Sequence, residues 1–139
     1  MKLSKRSLDR LDGIMPILID ILKEAIKESP HDFGIPQFGG VRTAEDQNML
    51  YQRGRELAGS IVTYTDGYIK KSNHQAKEDG YGHAFDIFAY IGKRASWDKK
   101  ILTEIARHIQ KVAKEDFCVD LTWGGDWNTF KDYPHFQID

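Results

Sequence analysis

The chain has 139 residues, 40% apolar and 29% charged, with a formal net charge of −1. This is ordinary globular composition, which excludes a disordered or fibrous chain, and the near-zero charge argues against nucleic acid or an anionic membrane as partner. Cys118 is the only cysteine, so an intrachain disulfide and a thiolate zinc cluster are excluded, and its expected role is a small buried hydrophobe near a strand.

The length suits one domain over residues 1–139, with enough chain to bury a core. Met1 to Arg6 is basic, but Asp, Arg and Leu follow in place of an apolar stretch, so no signal peptide is expected. No run reaches the roughly 18 apolar residues that span a bilayer. Synthesis in a cytoplasm without export by the usual route is the expectation.

From Leu8 to Glu28, Leu8, Leu11, Met15, Leu18, Leu22, Ala25 and Ile26 recur at three- and four-residue spacings, which predicts an amphipathic helix. Pro16 predicts a break or a late start within it. Ser29 to Asp32 reads as a turn, and Phe33 to Val41 as a short extended segment interrupted by Pro36 and Gly39-Gly40. Thr43 is a helix N-cap with Asp46 at the third helical position, and that helix should end near Gly54 or Gly59. Ile61–Thr65 and Tyr68–Lys70 flank Asp66-Gly67, a hairpin signal. Ala84 to Ile91 reads as one strand, and Ser96 as the cap of a helix from Trp97 to about Lys114. Val119–Trp123 and Pro134–Ile138 are the last strands, separated by a turn at Gly124-Gly125-Asp126-Trp127. Helices alternate with hairpin-like strands without a strand-helix-strand rhythm. That favours an α+β fold with a mostly antiparallel sheet.

Polar residues in apolar surroundings carry the chemistry. Asp86 lies in Ala84-Phe85-Asp86-Ile87-Phe88, where a carboxylate must be paired, hydrogen-bonded or metal-bound. His135, between Pro134 and Phe136, is similarly placed. His74 alone reads as a surface or satisfied histidine, and Asp132 alone as a turn-former. Together, two imidazoles and one carboxylate from separate places make a three-ligand zinc site with a position left for water, and Asp132 can serve as general base.

In order, Ser72-x-His74, Gly82-x-Ala84-x-Asp86 and Asp132-x-x-His135 resemble the metal-site motifs of the M15 family of zinc peptidases, the D-Ala-D-Ala carboxypeptidases and phage endolysins. Phe38 to Gln47 is similar to that family's G-x-R-[ST]-x-x-x-Q element, and Trp123-Gly124-Gly125-Asp126-Trp127 to a segment of its phage members. The resemblance covers about Phe33 to Gln137. It implies a hedgehog/DD-peptidase type of fold, zinc on His74, Asp86 and His135, Asp132 as base, and Arg42 stabilising the oxyanion. Seven residues, Gln75 to Tyr81, separate His74 from Gly82 where the family usually has two, and they read as a surface insertion. His83 is thereby a second candidate, but three residues before Asp86 on a strand it would face the other way. It is left to support a ligand or face the substrate, and His31 and His108 to the surface. Tyr64, Tyr133, Trp123 and Trp127 can line a groove, although core packing suits each as well.

The resemblance further implies hydrolysis in the peptidoglycan stem, most like an endolysin cutting L-Ala-D-Glu. Such a protein would act as a monomer, without nucleic acid or membrane insertion, held in the host cytoplasm until it reaches the periplasmic wall. The alternatives are a D-Ala-D-Ala carboxypeptidase or dipeptidase, and a non-catalytic zinc-stabilised module that binds peptidoglycan.

Overall fold

A computed structural model describes residues 1–139. Helix α1 (Lys5–Arg10) starts where the Ser4 hydroxyl accepts the Ser7 amide hydrogen, and α2 (Pro16–Ala25) starts on its proline. Proline suits a first helical position because the lost N–H has no helical acceptor there. The expected break at Pro16 is therefore the boundary between two helices. Strand β1 (Asp32–Gly34) follows, then α3 (Ala44–Gln52), whose Thr43 hydroxyl accepts the Asp46 amide hydrogen.

Strands β2 (Ala84–Asp86), β3 (Phe88–Ile91) and β4 (Arg94–Ser96) precede the long helix α4 (Lys99–Phe117). Asp98, not Ser96, caps α4, its carboxylate accepting from the Ile101 amide. Ser96 instead closes β4, a strand absent from the sequence reading. Cys118 ends α4 in a left-handed conformation (φ +56°) and is exposed, which corrects its expected burial. Only Thr122–Trp123 of the expected 119–123 strand pairs, as β5, and β6 (His135–Gln137) completes the set.

All strand pairs are antiparallel, in two three-stranded sheets ordered β1-β3-β4 and β2-β6-β5. The single strand expected over 84–91 is thus two strands in different sheets. At Ile87 the chain leaves one sheet for the other, its amide donating to the Pro134 carbonyl. Leu18, Ile21, Leu22 and Ala25 of α2 and Leu102, Ile105, Ala106 and Ile109 of α4 are buried in one core with Phe33, Phe85, Trp123 and Phe136. No helix is long and apolar enough to cross a membrane.

The expected hairpin over residues 61–70 does not form; that stretch is a loop. The Asp66 carboxylate accepts the amide hydrogens of Tyr68, Ile69 and Lys70 and wraps the chain around itself. These bonds hold Asp66 below its usual pKa. A side chain that satisfies local amides competes directly with strand pairing, and here it wins.

Candidate active site

The pairing of β2 with β6 sets the centre of the site. Asp86 lies opposite His135 and Phe85 opposite Phe136. Because alternate residues face opposite sides of a strand, Phe85 and Phe136 stack in the core with ring centroids 5.1 Å apart. Asp86 and His135 share the other face, and Asp86 Oδ1 is 3.2 Å from His135 Nδ1.

His74 reaches the same point from a loop. Its Nε2 is 3.2 Å from His135 Nδ1 and 3.3 Å from Asp86 Oδ1. The Gly39-Gly40 segment anchors two of the three: the Gly39 carbonyl accepts from the Asp86 amide at 2.8 Å, and the Gly40 carbonyl lies 2.9 Å from His74 Nδ1. A carbonyl only accepts, so His74 carries its proton on Nδ1 and leaves Nε2 bare. A Cβ at residue 40 would stand 1.8 Å from the Arg10 carbonyl oxygen, so only glycine fits there. His135 Nε2 faces Gln137 Oε1 at 2.8 Å, which likewise directs Nδ1 to the centre. Gln137 is in turn held by Asn73 Nδ2 at 3.0 Å.

Three electron-rich atoms thus converge in a triangle of 3.2, 3.2 and 3.3 Å. A tetrahedral site with bonds of about 2.0–2.1 Å has ligand–ligand edges of about 3.3 Å. The donor set and its spacing fit a metal ion, and His74, Asp86 and His135 could hold one.

The surroundings fix the charge states. Burial pushes the His74 pKa down, only partly offset by Asp86. Burial opposes ionisation of Asp86, but His74, His135 and Arg42 together hold it well below the usual carboxylate range. Arg42 Nη2 donates to Asp86 Oδ2 at 2.9 Å, Nη1 to the buried Gln47 Oε1 at 3.0 Å, and Nε to the Phe38 carbonyl at 2.8 Å. Burial lowers His135 as well, but its contact with Asp86 outweighs this and leaves its pKa raised.

Asp132 lines the same cleft, of about 850 Å³, with Arg42 and the triad. Burial, then the nearby Asp86 charge, raises its pKa to about 6. Its amide donates to the Gly124 carbonyl at 3.0 Å, and a Cβ on Gly124 would stand 2.3 Å from the Asp132 carbonyl oxygen. The Trp-Gly-Gly segment therefore positions Asp132 by close backbone approach.

The other candidates separate. His83 Nε2 pairs with Asp79 Oδ2 of the insertion at 2.7 Å, and the converging group is His74, Asp86 and His135 without it. The insertion closes on itself through Lys77 and Tyr81. His31 pairs with Glu104, and His108 bonds the Ala25 carbonyl, strapping α4 to α2. Trp123 is buried with its Nε1 donating to the Tyr133 carbonyl, and Tyr133 packs on it, whereas Tyr64 and Trp127 line the cleft. Sequence reasoning missed the Gly40 carbonyl and Gln137. Strand alternation was the available signal for Gln137, two residues beyond His135. Nothing in a side-chain pattern reports a backbone carbonyl.

The family model for phage L-alanyl-D-glutamate peptidases matches residues 1–138. The peptidoglycan L-alanyl-D-glutamate endopeptidase CwlK of Bacillus subtilis is 34% identical over 127 residues, covering 86% of this chain and 68% of that protein. The L-alanyl-D-glutamate peptidase of Escherichia phage T5 is 29% identical over 138 residues, covering 99% of this chain and 88% of that protein. Among solved structures, the Serratia marcescens L-Ala D-Glu endopeptidase ChiX matches with a TM-score of 0.79 at 27% identity, over 100% of this chain and 90% of that one.

Proposed function

The chain belongs to the phage L-alanyl-D-glutamate peptidase family, and from that premise we propose that it is a zinc-dependent endopeptidase hydrolysing the L-Ala–D-Glu bond of the peptidoglycan stem. The observation that carries this reading is the 3.2–3.3 Å triangle of His74 Nε2, Asp86 Oδ1 and His135 Nδ1, with a carboxyl of raised pKa in the same cleft. We further propose an endolysin role: one zinc peptidase domain, acting as a monomer, made in the host cytoplasm and reaching the periplasmic wall at lysis.

His74, Asp86 and His135 would hold zinc through the three converging atoms. Bound zinc supplies a Lewis acid that polarises the scissile carbonyl and makes water a nucleophile near neutral pH. Asp132 takes the proton of the attacking water and returns it to the leaving amine as the C–N bond breaks. In the metal-free protein, burial and then the Asp86 charge raise this carboxyl to about 6; burial, the larger of the two causes, stays when a cation offsets that charge and keeps Asp132 a better base than an exposed aspartate.

Arg42 has five N–H groups, of which three are committed to Asp86, Gln47 and Phe38. One hydrogen on each terminal nitrogen remains for the developing oxyanion, an interaction worth about 3 kcal/mol in comparable sites. The same guanidinium keeps Asp86 ionised and oriented as a ligand.

The test is mass spectrometry of purified peptidoglycan fragments incubated with the protein, with and without a chelator. A chelator-sensitive product with a new D-Glu amino terminus is expected. Release of terminal D-Ala instead would mean a carboxypeptidase, and no product from zinc-loaded, folded protein would leave only a binding module.

A further inference from the structure

Among the aromatic rings that line the cleft, two that the hydrolytic chemistry does not use meet each other. Tyr64 and Phe130 both line the cavity that holds Asp86, Asp132 and His135. Both rings are exposed, at 62% and 48%. They meet edge to face, with centroids 5.0 Å apart and planes at 87°. Two apolar faces at right angles thus form an open corner.

This corner is held in place at some expense. Phe130 has a φ of +38°, a region that bulky L residues enter only under strain. Burial of the ring does not explain the strain, because the ring is half exposed. Tyr64 sits on a loop fixed by Arg55, which donates to the carbonyls of Tyr51 and Thr63. The Arg55 guanidinium also stacks 3.8 Å above the Tyr51 ring and 5.7 Å from that of Tyr64.

A fixed, exposed apolar corner in a polar cleft fits a ligand with one apolar face and a polar rim. A pyranose ring is such a ligand: its C–H face packs on an aromatic π face while its hydroxyls stay in water. The proposed substrate presents one close to the reacting bond. L-Ala is the first stem residue and is joined directly to the lactyl group of the glycan's amino sugar. One residue spans at most about 3.6 Å and the lactyl group adds roughly as much again, which puts the sugar at the mouth of the cleft that holds the scissile bond.

We infer that Tyr64 and Phe130 form a shelf that binds the sugar ring attached to the stem, a reading that rests on the proposed L-Ala–D-Glu specificity. Two tryptophans also line the cleft: Trp127, whose ring lies against His135 at 5.2 Å, and Trp97, 52% exposed and the main competitor. Its ring already lies against Phe88 at 5.8 Å, and it is remote in sequence from the Asp132–His135 segment that Phe130 adjoins.

The experiment compares kcat/KM on two soluble substrates: a muropeptide bearing its amino sugar, and the same stem peptide N-acetylated in place of the sugar. The zinc-loaded wild type should prefer the muropeptide. Tyr64→Ala and Phe130→Ala should each lower kcat/KM on it by about tenfold, mainly through KM, with a much smaller loss on the sugar-free peptide. Tyr64→Phe, which keeps the ring, should retain the preference. Equal losses on both substrates would mean that the rings only clasp two loops, and would overturn the inference. So would a preference that survives both substitutions and disappears in Trp97→Ala. Equal rates on the two substrates in the wild type would remove the shelf alone, whereas cleavage of neither would remove the L-Ala–D-Glu reading and the shelf with it.

Discussion

Replacing Asp132 by asparagine separates a carboxyl held for catalysis from one that serves the fold. Its pKa lies at about 6 against an ordinary 3.8, and the interval corresponds to about 3 kcal/mol at about 1.36 kcal/mol per pH unit. The cleft is open to water, so screening reduces the usable figure to about 1–2 kcal/mol. The sign follows from proton binding. Between pH 3.8 and about 6 the folded state holds more protons at Asp132 than the unfolded state, so stability falls as pH rises through that window. Above it the destabilisation is complete; below it there is none.

Metal-free Asp132→Asn should therefore be more stable than metal-free wild type by about 1–2 kcal/mol at pH 7.5, with the gain vanishing near pH 3.5. Urea unfolding followed by tryptophan fluorescence in the presence of a chelator measures both. The same variant, reloaded with zinc at full stoichiometry, should lose at least about 100-fold in kcat. A variant less stable than wild type at pH 7.5, or a gain that persists unchanged in acid, would refute the assignment of Asp132 as a carboxyl destabilised for use as a base.

Asp86→Asn leaves the Arg42 guanidinium without its carboxylate in a largely buried site, so a loss of about 3–5 kcal/mol is expected in thermal unfolding, with metal content by mass spectrometry falling towards zero. Gln137→Ala removes the acceptor of His135 Nε2 and should weaken zinc binding about 10- to 100-fold in a competition titration while leaving the fold intact. Gly124→Ala places a methyl group 2.3 Å from the Asp132 carbonyl oxygen. It should displace the base, lowering kcat by about 10-fold or more while zinc content stays unchanged.

The elements written in side-chain periodicity were legible in the sequence. The stripes of α2 and α4, the Thr43 cap and the β6 strand follow from spacing alone, because burial of one face sets their pattern. The Ile87 switch was not legible: residues 84–91 are nearly all apolar, and such a run reads as one strand whether it serves one sheet or two. The loop around Asp66 was misread because Asp-Gly favours a tight hairpin turn. The outcome there turned on which amides the carboxylate captured. The converging residues of the site were legible only jointly. Asp86 announced itself as a charge among apolar neighbours, whereas His74 had no distinguishing context of its own and gained meaning from the order of the surrounding motifs.

The geometry adds what no motif carries, namely what sets the protonation of each residue of the triad. The Gly40 carbonyl selects the His74 tautomer, and burial keeps that ring neutral. Arg42 and the imidazoles keep Asp86 ionised. His135 differs, because the same Asp86 oxygen that completes the triangle also raises its pKa. A proton on Nδ1 of His135 would occupy the direction in which that atom would bind a metal, so proton and cation compete for one position. The cation affinity proposed for the triad should therefore fall in acid, through His135, whose pKa is raised, rather than His74, whose pKa is lowered. Asp132 stands close enough to feel the Asp86 charge, and a cation seated on the triad would lower its pKa by offsetting that charge. A cation on the triad and the basicity of Asp132 would therefore be coupled through Asp86, which lies against both imidazoles and whose charge helps raise the Asp132 pKa.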